Sequence, residues 1–106
     1  MDKDSLFKKV QELWTSNEMN EKEAVNLLYE WYDKHVQEYG WDLIVIIVHD
    51  YWLFKYPGDD GCSDEECEFM TDLWYEFIEA DHHNYSTEEV VKFILIVALK
   101  CLNQQT

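Results

Sequence analysis

Hydrophobic residues recur every three or four positions along most of the chain, which is the spacing of one face of an α-helix. Near the start, this pattern predicts a first helix over about residues 5–16. A second apolar series lies between Asn20 and Gly40. Asn20 and Glu23 have the spacing of a capping box, which begins helices, and glycine commonly follows a helix end. A second helix is therefore expected between Asn20 and Gly40.

The third apolar segment, residues 43–55, contains a β-branched run, IVIIV, that favours a strand. The positions that fit a single helical row are Leu43, Ile47, Tyr51 and Lys55. An isolated strand would have no obvious pairing partner elsewhere in this chain. We therefore predict a helix here, with Asp42 as its cap.

Two further capping boxes predict a fourth helix over about residues 64–81 and a fifth over about residues 87–103. The boxes are Ser63 with Glu66 and Ser86 with Glu89. The expected buried face of the fourth helix comprises Cys67, Met70, Leu73, Trp74, Phe77 and Asp81. The fifth helix is apolar nearly all round, which is typical of the central helix of a bundle or of a helix covered by a second subunit.

Residues that break helices are scarce. The chain of 106 residues has one Pro and three Gly, and two of the Gly lie with the Pro in YPGDDG at residues 56–61. Few strand and turn signals remain outside this break. We therefore predict an all-α fold, a compact bundle of about five helices, in which residues 1–106 form a single domain.

The charge of the chain is strongly one-sided. Its 23 Asp and Glu outnumber 8 basic residues, all of them Lys, which gives a formal net charge of -15. Nucleic acids and anionic membranes attract proteins through Lys and Arg, so direct binding to either is not expected. A basic protein is the partner that this composition favours.

The sequence predicts a cytoplasmic protein that is not an enzyme. The opening MDKDSLFKKV has no apolar signal-peptide core, and the runs at 43–48 and 90–102 are shorter than the roughly 20 residues of a membrane helix. Cys62 and Cys67 have no second cysteine pair to complete a zinc site. The histidine and carboxylate pairs at residues 33 and 35 and at residues 49 and 50 are accompanied by no plausible catalytic nucleophile. We therefore expect no metal, no cofactor and no catalysis.

The most distinctive feature is a series of five carboxylates on the predicted fourth helix, which we call the acidic ridge. Its members are Glu65, Glu68, Asp72, Glu76 and Glu79. Their spacings of 3, 4, 4 and 3 residues place them on one stripe, predicted to lie opposite the buried face and about 21 Å long. No Lys or Arg occurs between residues 56 and 91. A solvated helix face usually intersperses both signs, so this stripe is a candidate partner-binding surface.

Neighbouring residues complete the predicted interface. Asp59 and Asp60 lie on the adjoining loop, and Asp64 lies at the helix start. Tyr56 and Tyr75 are the candidate aromatic anchors, because protein interfaces combine complementary charge with aromatic contacts. All five are expected to contact the partner together with the acidic ridge.

The segment KYPGDDGCSDEECEFMTDLW, about a fifth of the chain, resembles the helical immunity proteins of colicin-type DNases. The residues that carry the resemblance are Tyr56, Pro57, Asp59, Asp60, Ser63 and Trp74. That family has two consecutive tyrosines before the proline, whereas Lys55 precedes Tyr56 here. The resemblance implies an acidic inhibitor of a nuclease, with Tyr56 and the nearby acids as contact residues.

The sequence thus predicts a small acidic inhibitor that occupies the basic, nucleic-acid-binding surface of a nuclease or similar enzyme. Immunity proteins and nucleic-acid mimics that act on restriction or CRISPR enzymes are of this class. The alternative is a structural or adaptor protein, in which segments 43–55 and 87–103 form a homodimer or bind a partner helix and the acidic face only promotes solubility. An export chaperone for a basic effector ranks below both.

Overall fold

A computed structural model describes residues 2–14, 18–58, 63–80 and 85–103. Within these ranges the chain forms five α-helices and no strands, as predicted. The helices are α1 (Lys3–Trp14), α2 (Glu18–His35), α3 (Trp41–Lys55), α4 (Asp64–Glu79) and α5 (Thr87–Asn103). The fold is therefore an all-α bundle, and the β-branched segment 43–55 is helical.

The first two helices begin earlier than their sequence patterns predicted. Asp2 accepts a hydrogen bond at Oδ1 from the backbone N–H of Ser5, at 2.8 Å, so it caps α1. Hydrogen bonds from the backbone and the side chain of Ser5 favour the ionised carboxylate and lower the pKa of Asp2. Asn20 lies inside α2 and does not cap it.

Gly40 precedes α3, whereas the sequence predicted that it would end α2. Helix α2 ends at His35, five residues earlier, and Gly40 adopts a φ of +61° as the residue before α3. This left-handed conformation is accessible to glycine without the Cβ clash that other residues meet. Asp42 lies in the first turn of α3, and no side chain caps this helix end. The predicted Asp42 cap is therefore wrong.

The serine caps of α4 and α5 are confirmed. Ser63 Oγ accepts from the backbone N–H of Glu66 at 3.2 Å, and Ser86 Oγ accepts from that of Glu89 at 3.2 Å. Each interaction satisfies one of the N–H groups left free at a helix start. Both helices therefore begin where their capping signals placed them.

Helix α5 occupies the centre of the bundle and packs against α2, α3 and α4, while α1 packs mainly against α2. The buried residues of α5 are Val90, Val91, Ile94, Leu95, Ala98, Leu99 and Leu102. One continuous core joins them to buried side chains of the other four helices. The apolar character of α5 is thus explained largely by burial within its own chain, although Phe93 is 53% exposed.

Polar contacts join α3 to its neighbours at the edge of the core. Tyr32 Oη donates to Asp50 Oδ2 at 2.8 Å, and Lys3 Nζ lies 3.1 Å from the same oxygen. Burial and the carboxylate together raise the pKa of Tyr32 well above its ordinary range. Lys55 Nζ donates to the backbone oxygen of Leu102 at 2.6 Å, and burial lowers the pKa of Lys55.

The buried face of α4 differs from the predicted one. Leu73 is buried and Met70 and Phe77 are half-buried, but Cys67 and Trp74 are exposed. Asp81, also placed on that face, lies outside the described residues. The helix is rotated so that Glu66 is buried instead, with its Oε1 against a histidine of α3.

No helix in the described ranges is both long enough and apolar enough to cross a membrane. The described chain has a radius of gyration of 13.1 Å, close to the roughly 13 Å typical of a compact domain of 100 residues.

Candidate protein-binding surface

The acidic ridge is present on the surface of α4 as a continuous helical stripe. All five of its carboxylate side chains are exposed. The helix runs without interruption from Asp64 to Glu79, so the ridge spans about 21 Å at a rise of about 1.5 Å per residue. Five like charges therefore follow each other at about one per helical turn.

The sequence predicted that the ridge would lie opposite the buried face of α4. The ridge instead flanks that face. At about 100° of rotation per residue, its centre lies about 110° around the helix from the buried arc. That arc consists of Glu66, Phe69, Met70, Leu73, Phe77 and Ala80. The face opposite the core instead contains Thr71 and Tyr75, both of which are exposed.

None of the ridge carboxylates forms an ion pair with another residue in the described part of the chain. The lysine ion pairs found there lie elsewhere: Lys3 with Asp50, Lys92 with Glu88, and Lys100 with Glu21. The ridge charge is therefore not neutralised by any described lysine, and its field is directed into solvent.

The helix dipole favours one end of the ridge and opposes the other. Glu65 lies in the first turn of α4, where a negative charge is stabilised by the free N–H groups of the helix start. Glu76 and Glu79 lie in the last turn, which contains no basic residue. Each carboxylate there costs about 0.3–1 kcal/mol of helix stability. The ridge thus continues to the end of α4 despite an electrostatic penalty.

The other predicted contact residues have different surroundings. Asp64 is exposed at the helix start, and Tyr75 is 57% exposed beside the ridge. Tyr56 is half-buried and packs on Trp52, with ring centroids 4.9 Å apart. Asp59 and Asp60 lie outside the described residues. Tyr75 is therefore a freely accessible aromatic contact, while Tyr56 offers only part of its ring.

An exposed apolar pair on α4 was missed by the sequence analysis. Trp74 is 41% exposed and Ile78 is 50% exposed, on the side of Tyr75 away from the ridge. Trp74 packs edge-on against Trp41, with centroids 5.0 Å apart, which holds the indole at the surface. The available signal was their i, i+4 spacing outside the Leu73 arc, but Trp74 was assigned to the core because it fits the helical spacing of Met70, Leu73 and Phe77.

Glu66 is the acidic residue of α4 that does not face solvent. It is 4% exposed, and its Oε1 lies 2.7 Å from Nδ1 of His49, whose side chain is 40% exposed. This contact joins the first turn of α4 to the middle of α3. Together with the packing of Leu73 and its apolar neighbours on the core, it is consistent with the rotation of α4 that turns the acidic ridge to solvent.

The described ranges contain no group of three or more His, Cys, Asp or Glu side chains arranged to hold a metal ion. Cys67 and Cys101 are exposed free thiols, and Cys62, the other member of the CxxxxC spacing, lies outside the described residues.

Comparison of the chain with protein-family models, with curated proteins and with solved structures found no match. The resemblance to immunity proteins therefore rests on the sequence segment alone.

Proposed function

We propose that this protein is an inhibitor that binds the basic, nucleic-acid-binding surface of an enzyme or toxin and excludes its substrate. The observation that supports this proposal is the exposed acidic ridge, which no described lysine neutralises and which extends into a helix end where its charge is unfavourable. The ridge presents one carboxylate about every 5 Å along the helix axis, a spacing of the same order as that of phosphates along a nucleic-acid strand.

In the proposed mechanism the acidic ridge speeds association with the partner, and Tyr75 slows dissociation. The ridge attracts the basic partner over distances of the order of the Debye length, about 8 Å at physiological salt. Tyr75, beside the ridge, provides a contact that loses water on binding and slows dissociation. The protein performs no catalysis in this mechanism, and its proposed location is the cytoplasm, where the target enzyme acts.

The alternative of an adaptor that dimerises through its apolar helices has less support. Most apolar side chains of α3 and α5 are buried in the chain's own core. Phe93 of α5 is the large apolar side chain of these two helices that is more than half exposed in the described part. A dimer through α5 would therefore depend on a small contact area.

The experiment that tests the proposal compares two variants of equal net charge. In the first, the ridge is neutralised by Glu65→Gln, Glu68→Gln, Asp72→Asn, Glu76→Gln and Glu79→Gln. In the second, five exposed carboxylates on α1, α2 and the segment that follows α2 are neutralised by Asp4→Asn, Glu23→Gln, Glu30→Gln, Asp33→Asn and Glu38→Gln. Each immobilised protein is incubated with lysate of the source cell at low salt, and the nuclease activity of the retained enzymes is assayed.

We expect the unmodified protein and the second variant to retain a basic nucleic-acid enzyme and inhibit it. The ridge variant is expected to lose at least tenfold in retention, because several charge contacts act together. Moderate salt should release the enzyme. Equal retention by all three proteins, or a captured enzyme that remains fully active when bound, contradicts the proposal.

A further inference from the structure

A cavity of about 710 Å³ opens between α2 and α5, and none of the ridge carboxylates is among its lining residues. This volume lies within the roughly 300–1,000 Å³ of small-molecule sites. Its apolar wall includes Val25, Val90, Phe93 and Ile96. Val25 and Val90 belong to the buried core, so this side of the wall is held in place by packing, while Phe93 is half exposed at the surface.

The charged residues of this cavity depart from the overall charge of the molecule. Lys22 of α2 and Lys92 of α5 both line it, together with Glu89. The chain as a whole has 23 acidic residues against 8 lysines, whereas the described lining of this cavity has two lysines and one carboxylate. A second carboxylate, that of Glu88, pairs with one of these lysines. Two lysine side chains from different helices thus line one largely apolar space.

The ammonium group of Lys92 is held at the cavity by two contacts. Its Nζ lies 5.1 Å from the ring centroid of Tyr29 on α2 and 3.7 Å from Oε2 of Glu88. The attraction between a cation and an aromatic ring adds to the ion pair. Lys92 therefore bridges α5 and α2 beside the cavity. An ammonium group has three N–H donors, so Lys92 keeps donors for a headgroup, and Lys22 is exposed.

We propose that this cavity binds a free single-chain amphiphile with an anionic headgroup, of which a fatty acid is the simplest example. The alkyl chain would lie along Val25, Val90 and Ile96, and the headgroup would contact the two ammonium groups. The ridge and most of the remaining surface repel anions, so the anionic headgroup confines such a ligand to this site. The inference does not depend on the proposed inhibitor function.

Dodecanoate, below the concentration at which it forms micelles, is the probe for this site, and dodecanol is its uncharged counterpart. We expect calorimetric titration to show one saturable dodecanoate site per chain, with dodecanol bound at least fivefold more weakly. The double variant Lys22→Gln and Lys92→Gln should weaken dodecanoate binding about five- to tenfold and change dodecanol binding less than twofold, because only the charged headgroup loses its contacts.

Two matched controls separate the site from general effects. Lys8→Gln with Lys34→Gln removes the same charge from exposed lysines outside the cavity and should leave dodecanoate affinity unchanged. Phe93→Ser should weaken both ligands, whereas Ile78→Ser, at an equally exposed apolar position elsewhere, should weaken neither. Circular dichroism verifies that each variant is folded. The absence of saturable binding, equal affinity for the two ligands, or equal effects of the two lysine pairs would overturn the proposal.

Discussion

At the scale of single residues, Asp50 joins the first three helices through two side-chain contacts. It accepts a hydrogen bond from Tyr32 of α2 and pairs with Lys3 of α1. Tyr32 is fully buried, and its hydroxyl must remain protonated to donate this hydrogen bond to Asp50. Ionisation would place a second negative charge beside the carboxylate of Asp50 at a largely buried position. The folded protein is therefore sensitive to alkaline pH at this position.

The pH dependence of unfolding tests this arrangement. A tyrosine whose pKa is raised by folding stabilises the native state fully below its unfolded pKa of about 10, and that contribution is lost as the pH rises further. Tyr32→Phe is expected to cost about 1 kcal/mol at pH 7 through the lost hydrogen bond, and to lose stability less steeply than the unmodified protein above pH 10.

Urea unfolding at pH 7, 9.5, 10.5 and 11 measures both effects. Tyr75→Phe, at an exposed tyrosine, serves as the control and should follow the unmodified protein at every pH. Parallel pH profiles for Tyr32→Phe and the unmodified protein would show that Tyr32 ionisation does not limit alkaline stability.

At the scale of single helices, α4 combines a strong start with an unfavourable end. Ser63 caps its first turn, and three carboxylates there agree with the direction of the helix dipole. The last turn contains Glu76 and Glu79 without a basic residue. The Ser63 cap and the packing of Leu73 offset this penalty. The stability of α4 therefore depends on the Ser63 cap.

Removal of the cap should therefore destabilise the helix measurably. Ser63→Ala is expected to lower the free energy of unfolding by about 1 kcal/mol, because the Glu66 N–H loses its acceptor. Thr71→Ala provides a control in the same helix, since Thr71 Oγ1 donates to the backbone oxygen of Cys67, an interaction that does not stabilise helices. Equal losses for the two variants in urea unfolding would exclude a capping role for Ser63.

At the scale of the whole molecule, the net charge of -15 is confined to a body with extents of 39 × 30 × 27 Å. At 10 mM salt the Debye length is about 30 Å, so nearly all the carboxylates repel one another. At 150 mM salt it is about 8 Å, and only near neighbours interact. The compact state is therefore opposed by self-repulsion that salt relieves.

Salt should thus act in opposite directions on folding and on partner binding. Raising NaCl from 10 to 150 mM is expected to increase the melting temperature by a few degrees, since about 1 kcal/mol corresponds to roughly 4–8 °C for a domain of this size. The variant with a neutralised ridge should show a smaller increase. Differential scanning calorimetry measures both, and a melting temperature that falls with salt would contradict this account of the charge.

Much of this architecture follows from local sequence patterns. The helical positions of α3, α4 and α5 were predicted from apolar spacing and from serine caps, because both signals act within a few residues along the chain. The ridge carboxylates were identified for the same reason, since residues three or four apart share a helix face. The Gly40 signal was assigned to the wrong helix, because glycine is favoured wherever φ is positive and not only after a helix end.

The tertiary structure decided how these helices are turned and what lies between them. Glu66 is buried and meets His49, seventeen residues away, and in the same rotation of α4 Trp74 lies at the surface and not in the expected core. The cavity of Lys22 and Lys92 exists because α2 and α5 pack side by side. Such contacts join residues far apart in sequence, and helical periodicity contains no information about which distant side chain will meet them.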